Sequence, residues 1–170
     1  MRVRRLVFDA NRRDFTAARG LLRVLLDRYL EVLPGRLVFG SDQFGKPRLA
    51  QAHSGHQLKF NLSHSDGVAL YAATGGGPVG IDVGRIRRGI DVDAIAQRFF
   101  YAEEQAALEA LAVDDRLPGF FTCWRRKEAS SRAHGAGLST PLDRFTVSLV
   151  TTEPAALLKV EDDPAEVRRR

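Results

Sequence analysis

The sequence predicts an α+β chain, and three patterns predict it. First, Ala18, Leu21, Leu22, Leu25, Leu26, Tyr29 and Leu30 recur at three and four residues, the spacing of one helix face. Second, short apolar stretches separated by Asp66-Gly67 and by Gly75-Gly76-Gly77-Pro78 read as successive antiparallel strands. Third, helical spacing returns from Ile90 to His134. Between the strands and the later helices stands Val79-Gly80-Ile81-Asp82-Val83, an apolar run with one carboxylate in it. A carboxylate in a buried strand needs a partner, because unpaired burial costs several kcal/mol.

Taken in order, the first 13 residues are basic: Arg2, Arg4, Arg5, Arg12 and Arg13. They read as a solvated approach to the first helix or as a nucleic-acid arm. The absence of aromatics interleaved with the charges favours the former. The first helix is expected over 14–33, with Asp14 as N-cap and Pro34-Gly35 as its stop. Leu37-Val38-Phe39 reads as a short strand, and Asp42 to Pro47 as a loop in which Gly45 permits an unusual turn. A polar linker at 51–57 leads to a strand at 58–62, which ends in Ser63-His64-Ser65. Asp66-Gly67 turns the chain into a second strand at 68–73. The Asp82 run is the third strand of that sheet, which packs on the first helix.

After Arg85-Ile86-Arg87-Arg88 come a short amphipathic piece (Ile90, Val92, Ile95, Ala96), the core pair Phe99-Phe100, and a helix from Ala102 to about residue 112. A longer helix is expected from Pro118 to His134, capped by Asp114-Asp115 and ended by Gly135-Ala136-Gly137-Leu138. Phe145, Val147 and Leu149, then Ala156, Leu157 and Leu158, read as two late strands before a charged tail.

Composition sets the outer bounds. The chain has 170 residues, a 44% hydrophobic content and a formal charge of +5. That suits one large domain or two intertwined halves of a soluble protein. Its cations are mostly arginine, the side chain suited to phosphate, although a GC-rich genome would give the same bias. The single cysteine, Cys123, excludes an internal disulfide and a cysteine-rich zinc site, and fits a reducing cytoplasm. No apolar run reaches the roughly 18 residues of a membrane span, and no signal-peptide pattern begins the chain.

The chemistry centres on Asp82 and on Trp124-Arg125-Arg126-Lys127-Glu128. Two carboxylates from different elements, among arginines, suggest a divalent metal facing a phosphate. Glu128 and Arg132 stand four apart on one helix face; they are also spaced as a surface ion pair worth about 0–1 kcal/mol. Lys127 points about a quarter-turn from Glu128, while Phe121 and Trp124 anchor the helix in the core. His64 has the plain alternative of a hairpin histidine bonding nearby backbone. Position 84 shares the Asp82 face and is a glycine.

Phe44-Gly45-Lys46-Pro47, Phe60-Asn61-Leu62-Ser63-His64-Ser65, Val79-Gly80-Ile81-Asp82-Val83 and Trp124-Arg125-Arg126-Lys127-Glu128-Ala129, with the trailing Gly135-Ala136-Gly137-Leu138, resemble an Sfp-type 4′-phosphopantetheinyl transferase in order and spacing. The resemblance runs from about Phe8 to Leu158. It implies a 4′-phosphopantetheinyl transferase-like α+β fold of two pseudo-two-fold-related halves with antiparallel sheets, here 1–78 and 79–170. It implies transfer of the phosphopantetheine arm of coenzyme A to a serine of an acyl or peptidyl carrier protein of fatty acid, polyketide or nonribosomal peptide synthesis, with Mg²⁺. Asp82 and Glu128 would hold the metal, Glu128 would also be the base, and Arg132 would stand by the pyrophosphate in the usual place of a lysine. Ser63 and His64 would contact coenzyme A phosphates, Lys46 the nucleotide or pyrophosphate, and Arg19 the 3′-phosphate. The protein would be a monomer in the cytoplasm, without nucleic-acid or membrane partners.

Three departures stand against that pattern. Gly84 replaces a third acidic ligand, so metal affinity should be lower. The family normally carries further sequence before the region matching Met1, and a further stretch after the late strands, so the second half would be incomplete. A relative that binds coenzyme A or a carrier without turnover is therefore an alternative, which Gly84→Glu should discriminate. A basic nucleic-acid-binding domain is a third reading, resting on arginine content alone.

Overall fold

The computed structural model describes residues 9–50, 57–135 and 141–147. The arginines at 2, 4 and 5, most of the polar linker, residues 136–138 and the expected strands at 149 and 156–158, with the tail, lie outside them.

Helix α1 spans Asp9–Leu30. It begins five residues before the expected cap, so Asp14 lies inside it. Ala18, Leu22, Leu26 and Leu30 are buried at intervals of four. The three leucines pack with Leu37 and Phe60 into one core, each full leucine burial contributing about 1.5–3 kcal/mol. The helix ends three residues early, at Glu31, whose φ of 54° breaks the right-handed path. Pro34 then holds Leu33 in an extended conformation. Arg23 fastens this exit by donating to the carbonyls of Pro34 and Leu37 at 2.8 and 2.6 Å.

The loop expected at 42–47 is the turn of a hairpin, and the strand expected at 37–39 begins only at Phe39. Strands β1 (Phe39–Ser41) and β2 (Pro47–Leu49) pair antiparallel. Asp42 closes their turn, its carboxylate accepting from the N–H groups of Phe44 and Lys46, with Gly45 at φ 82°. Strands β3 (Lys59–Ser65) and β4 (Val68–Thr74) form the second hairpin as expected. Asp66 and Gly67 both have positive φ, 51° and 78°, the geometry of a tight primed turn.

The Asp82 run is extended but is not a third strand. It lies along β3, held by side chains of that strand and not by its backbone. The N–H of Ile81 donates to Asn61 Oδ1 at 2.9 Å, and that of Val83 to Ser63 Oγ at 3.1 Å. Asn61 and Ser63 project from the same face of β3, so side chains serve as the rungs that a ladder would supply from backbone. On its other side the run presses on a helix backbone: a Cβ at Gly80 would stand 2.0 Å from the carbonyl oxygen of Ala129.

Three further helices follow among the described residues: α2 (Val92–Phe99), α3 (Ala102–Glu109) and α4 (Val113–Ala133). Asp91 caps α2 by accepting from the N–H of Ala94. Helix α4 starts five residues before Pro118, with Asp114 and Asp115 in its first turn. Ala96, Phe100, Leu108, Phe120, Phe121 and Cys123 form a second core, with Trp124 against it. A 3-10 turn at Leu142–Arg144 follows, and the chain at 145–147 is not strand. The architecture is α+β with small antiparallel sheets. Among the described residues no helix is long and apolar enough to cross a membrane.

Candidate active site

A cleft of about 550 Å³ opens between the two cores, a volume typical of small-molecule sites. Arg19, Lys46, Ser63, His64, Asp82, Glu128 and Arg132 all line it. They come from α1, the β1–β2 turn, β3, the extended run and α4.

Strand β3 reaches this cleft with both of its faces. His64, on the α1 side, lies edge-on to Phe15 at 6.0 Å, and Arg19 stacks over the same ring at 5.3 Å. Ser63 faces the Asp82 run. Its hydroxyl donates to Asp82 Oδ1 at 3.0 Å while its oxygen accepts from Val83 N–H. Ser63 therefore fixes both the height and the rotation of Asp82.

Lys46 closes the same packing from the other side. Its ammonium donates to the carbonyls of Val79 at 2.9 Å and Ala133 at 3.1 Å, tying the run to the end of α4. Desolvation lowers its pKa from the usual 10.5, partly offset by Asp42.

The Asp82 side chain is only 2% exposed, and both its oxygens meet guanidinium groups. Arg125 Nη1 lies 2.9 Å from Oδ2, and Arg132 Nη2 lies 2.9 Å from Oδ1. The same Arg132 nitrogen lies 3.7 Å from Glu128 Oε2. The pair expected to be either superficial or functional is thus part of a four-membered cluster. Burial raises the Glu128 pKa above its ordinary 4.5, Arg132 opposes this, and the negative charge of Asp82 adds to it. A positive group between Asp82 and Glu128 relieves that repulsion.

Arg125 was not among the expected site residues, although the sequence carried a signal. Positions 125, 128 and 132 follow at three and four and share one helix face. The Nε atoms of Arg125 and Arg132 are buried with no partner. Such orphaned donors cost about 1–3 kcal/mol each until an acceptor arrives. Arg85 and Arg87 add further positive charge to the rim. The cleft is lined largely by cations, with two acidic groups at its centre. No group of three or more His, Cys, Asp or Glu able to hold a metal occurs among the described residues.

Comparison with known proteins identifies the family. Residues 78–169 match the model of the 4′-phosphopantetheinyl transferase superfamily, and residues 1–75 match that of a 4′-phosphopantetheinyl transferase N-terminal region. The chain is 39% identical over 156 residues to the 4′-phosphopantetheinyl transferase HetI of Nostoc sp., a match covering 92% of this chain and 65% of that protein. It is 33% identical over 129 residues to the 4′-phosphopantetheinyl transferase Sfp of Bacillus subtilis, covering 76% and 55%. To the 4′-phosphopantetheinyl transferase AcpT of Salmonella typhimurium it is 35% identical over 135 residues, covering 79% and 65%. It therefore spans 55% to 65% of the lengths of these three relatives. On these matches, the chain belongs to the 4′-phosphopantetheinyl transferase superfamily.

Proposed function

We propose that the chain transfers the 4′-phosphopantetheine arm of coenzyme A to a serine of an acyl or peptidyl carrier protein, with Mg²⁺ as cofactor. The observation that carries this reading is the convergence of Asp82 and Glu128 on one nitrogen of Arg132, inside a cleft otherwise rich in cations.

The donor set fits Mg²⁺, which is commonly held by one or two carboxylates together with phosphate oxygens and water. Arg132 Nη2 already marks a place for positive charge between the two carboxylates. Asp82 and Glu128 would hold the ion, and Mg²⁺ when bound would neutralise pyrophosphate oxygens. The residues of the chain perform the rest. Arg132, displaced from between the carboxylates, stands beside the pyrophosphate. Lys46, His64 and Arg19 face the phosphates and nucleotide of coenzyme A, and Ser63 keeps Asp82 oriented. Glu128 accepts the proton of the carrier serine at a carboxylate oxygen. The serine oxygen forms a bond to the phosphorus bearing the pantetheine arm. The bond to 3′,5′-adenosine bisphosphate breaks, and that group leaves with its electron pair.

The finer assignments form part of the same reading. The chain divides into halves at 1–78 and 79–170 with a pseudo-two-fold relation; the two family models meet between residues 75 and 78. It acts as a monomer in the cytoplasm, where Cys123 stays reduced, without nucleic-acid or membrane partners.

Incubation with coenzyme A, Mg²⁺ and a panel of unmodified carrier proteins tests the proposal by intact mass. Addition of one phosphopantetheine arm is expected. A carrier that stays unmodified beside a working full-length relative overturns turnover. A second reading, binding without transfer, rests on both Asp82 oxygens being held by arginine. Coenzyme A binding with no mass gain is its outcome.

A further inference from the structure

Arg125 enters the centre of the cleft through a space that glycine leaves open. A Cβ at position 84 would stand 2.1 Å from Arg125 Nη2, 2.2 Å from Cζ and 2.6 Å from Nη1. The guanidinium therefore fills the place a side chain at 84 would enter, and Gly84 and Arg125 are a matched pair. The group lies 5.7 Å from the centre of the Phe121 ring and bonds Asp82 at 2.9 Å. Its Nε is buried without an acceptor. The Arg125 side chain is 29% exposed and lines the cleft, so a ligand can reach it.

We infer that Arg125 is a built-in cation of the site, which binds a pyrophosphate oxygen of the ligand and competes with a divalent ion for Asp82. This deepens the proposed function and rests on it for the identity of the ligand. A guanidinium keeps its charge at every working pH and offers several donors to phosphate. Part of the anion affinity therefore persists when divalent ions are removed. The same charge, held against Asp82, opposes a second cation there.

Two titrations without turnover test this. The first follows inorganic pyrophosphate and coenzyme A binding by calorimetry in excess EDTA. The second follows Mn²⁺ binding to the ligand-free chain by electron paramagnetic resonance. Arg125→Gln should weaken both anions about tenfold or more in EDTA, as expected for loss of a charged hydrogen bond. It should tighten Mn²⁺ by about tenfold through removal of a like charge. Gly84→Glu alone draws the guanidinium to the new carboxylate and gains little Mn²⁺ affinity. Gly84→Glu combined with Arg125→Gln should bind Mn²⁺ most tightly. Arg125→Lys, which keeps the charge, should retain more pyrophosphate affinity than Arg125→Gln, and circular dichroism checks that each variant folds.

Unchanged anion affinity in Arg125→Gln, or unchanged Mn²⁺ affinity, overturns the inference. A chain that binds pyrophosphate through Arg125 but ignores coenzyme A overturns the transferase reading and leaves the built-in cation standing.

Discussion

Helix α4 serves two charged clusters, and they differ in how fully they are satisfied. Glu104 and Asp82 are almost equally withdrawn from water, their side chains 3% and 2% exposed. Glu104 meets Lys127, whose ammonium lies 2.6 Å from the carboxylate and donates at 2.6 Å to the carbonyls of Leu142 and Phe145. The same carboxylate accepts from the N–H groups of Tyr101 and Val147. All three ammonium hydrogens have acceptors, and Lys127 is 0% exposed. Asp82, by contrast, meets two arginines that are 29% and 38% exposed and keep unpartnered Nε atoms. A closed polar knot fixes structure; an open one with surplus donors is prepared for an anion. Lys127 and Glu128 are neighbours in sequence, yet the helix turns one into the knot and the other into the cleft.

The largest break in this comparison is Lys127→Met. It leaves Glu104 charged, buried and short of its counter-ion, a change that costs about 3–5 kcal/mol. Urea denaturation should show that loss, and a drop below about 1 kcal/mol would remove the structural role of the knot. Adding Glu104→Leu should not restore stability, because the Tyr101 and Val147 N–H groups would lose their acceptor.

Gly80→Ala comes next, and it strikes the seam between the clusters. The new methyl would stand 2.0 Å from the Ala129 oxygen and 2.4 Å from the Ala133 nitrogen. Overpacking of this kind costs about 1–3 kcal/mol. It should also move Asp82 away from Arg132 and weaken coenzyme A binding. Full coenzyme A affinity in the destabilised variant would uncouple the run from the site.

Asp82→Asn should act in the opposite proportion. Its arginine partners are 29% and 38% exposed and Asn keeps an oxygen for the Ser63 hydroxyl, so stability should fall by about 1–3 kcal/mol, less than in Lys127→Met, while transfer to a carrier protein should be abolished. Retained transfer would exclude Asp82 from the chemistry. A loss as large as that of Lys127→Met would make its cluster a second structural knot.

How much of this was legible depended on whether local pattern or distant partners decided each feature. The buried stripe of α1 and the Asp66-Gly67 turn followed from spacing and backbone preference alone. The β1–β2 hairpin did not, since its three-residue strands are closed by bonds to one Asp42 side chain. The Asp82 run was legible as extended and central. An apolar pattern does not distinguish backbone rungs from the Asn61 and Ser63 rungs that hold it. Asp14 and Asp114-Asp115 looked like caps; Asp114 and Asp115 stand in the first turn of α4, where acidic side chains favour the helix, whereas Asp14 lies inside α1, which is held by its buried stripe despite the weak helix propensity of Asp. The seven expected site residues do share one cleft. Arg125 escaped because its place depends on the missing side chain at Gly84, a relation between elements 41 residues apart in sequence. Lys127 likewise gave no sign that its ammonium would find acceptors after residue 141.

The gentlest probe of the comparison changes no residue. Cys123 sits beside the Glu104–Lys127 knot, 0% exposed, and its thiol pKa is pushed up from 9.0 to about 12, by burial first and then by the charge of Glu104. The reactive form is the thiolate. At pH 8 that shift alone lowers the thiolate fraction by on the order of a thousandfold relative to the unfolded chain. Native labelling by a thiol reagent should therefore be very slow at pH 8. As pH rises above 9 it should keep increasing, while labelling of the denatured chain levels off. Coenzyme A should leave the rate nearly unchanged, since the proposed ligand site is the open cluster and not the closed one, whereas Lys127→Met should speed it strongly. Native labelling as fast as denatured labelling would mean that the knot opens readily, and the contrast between the two faces of α4 would fail.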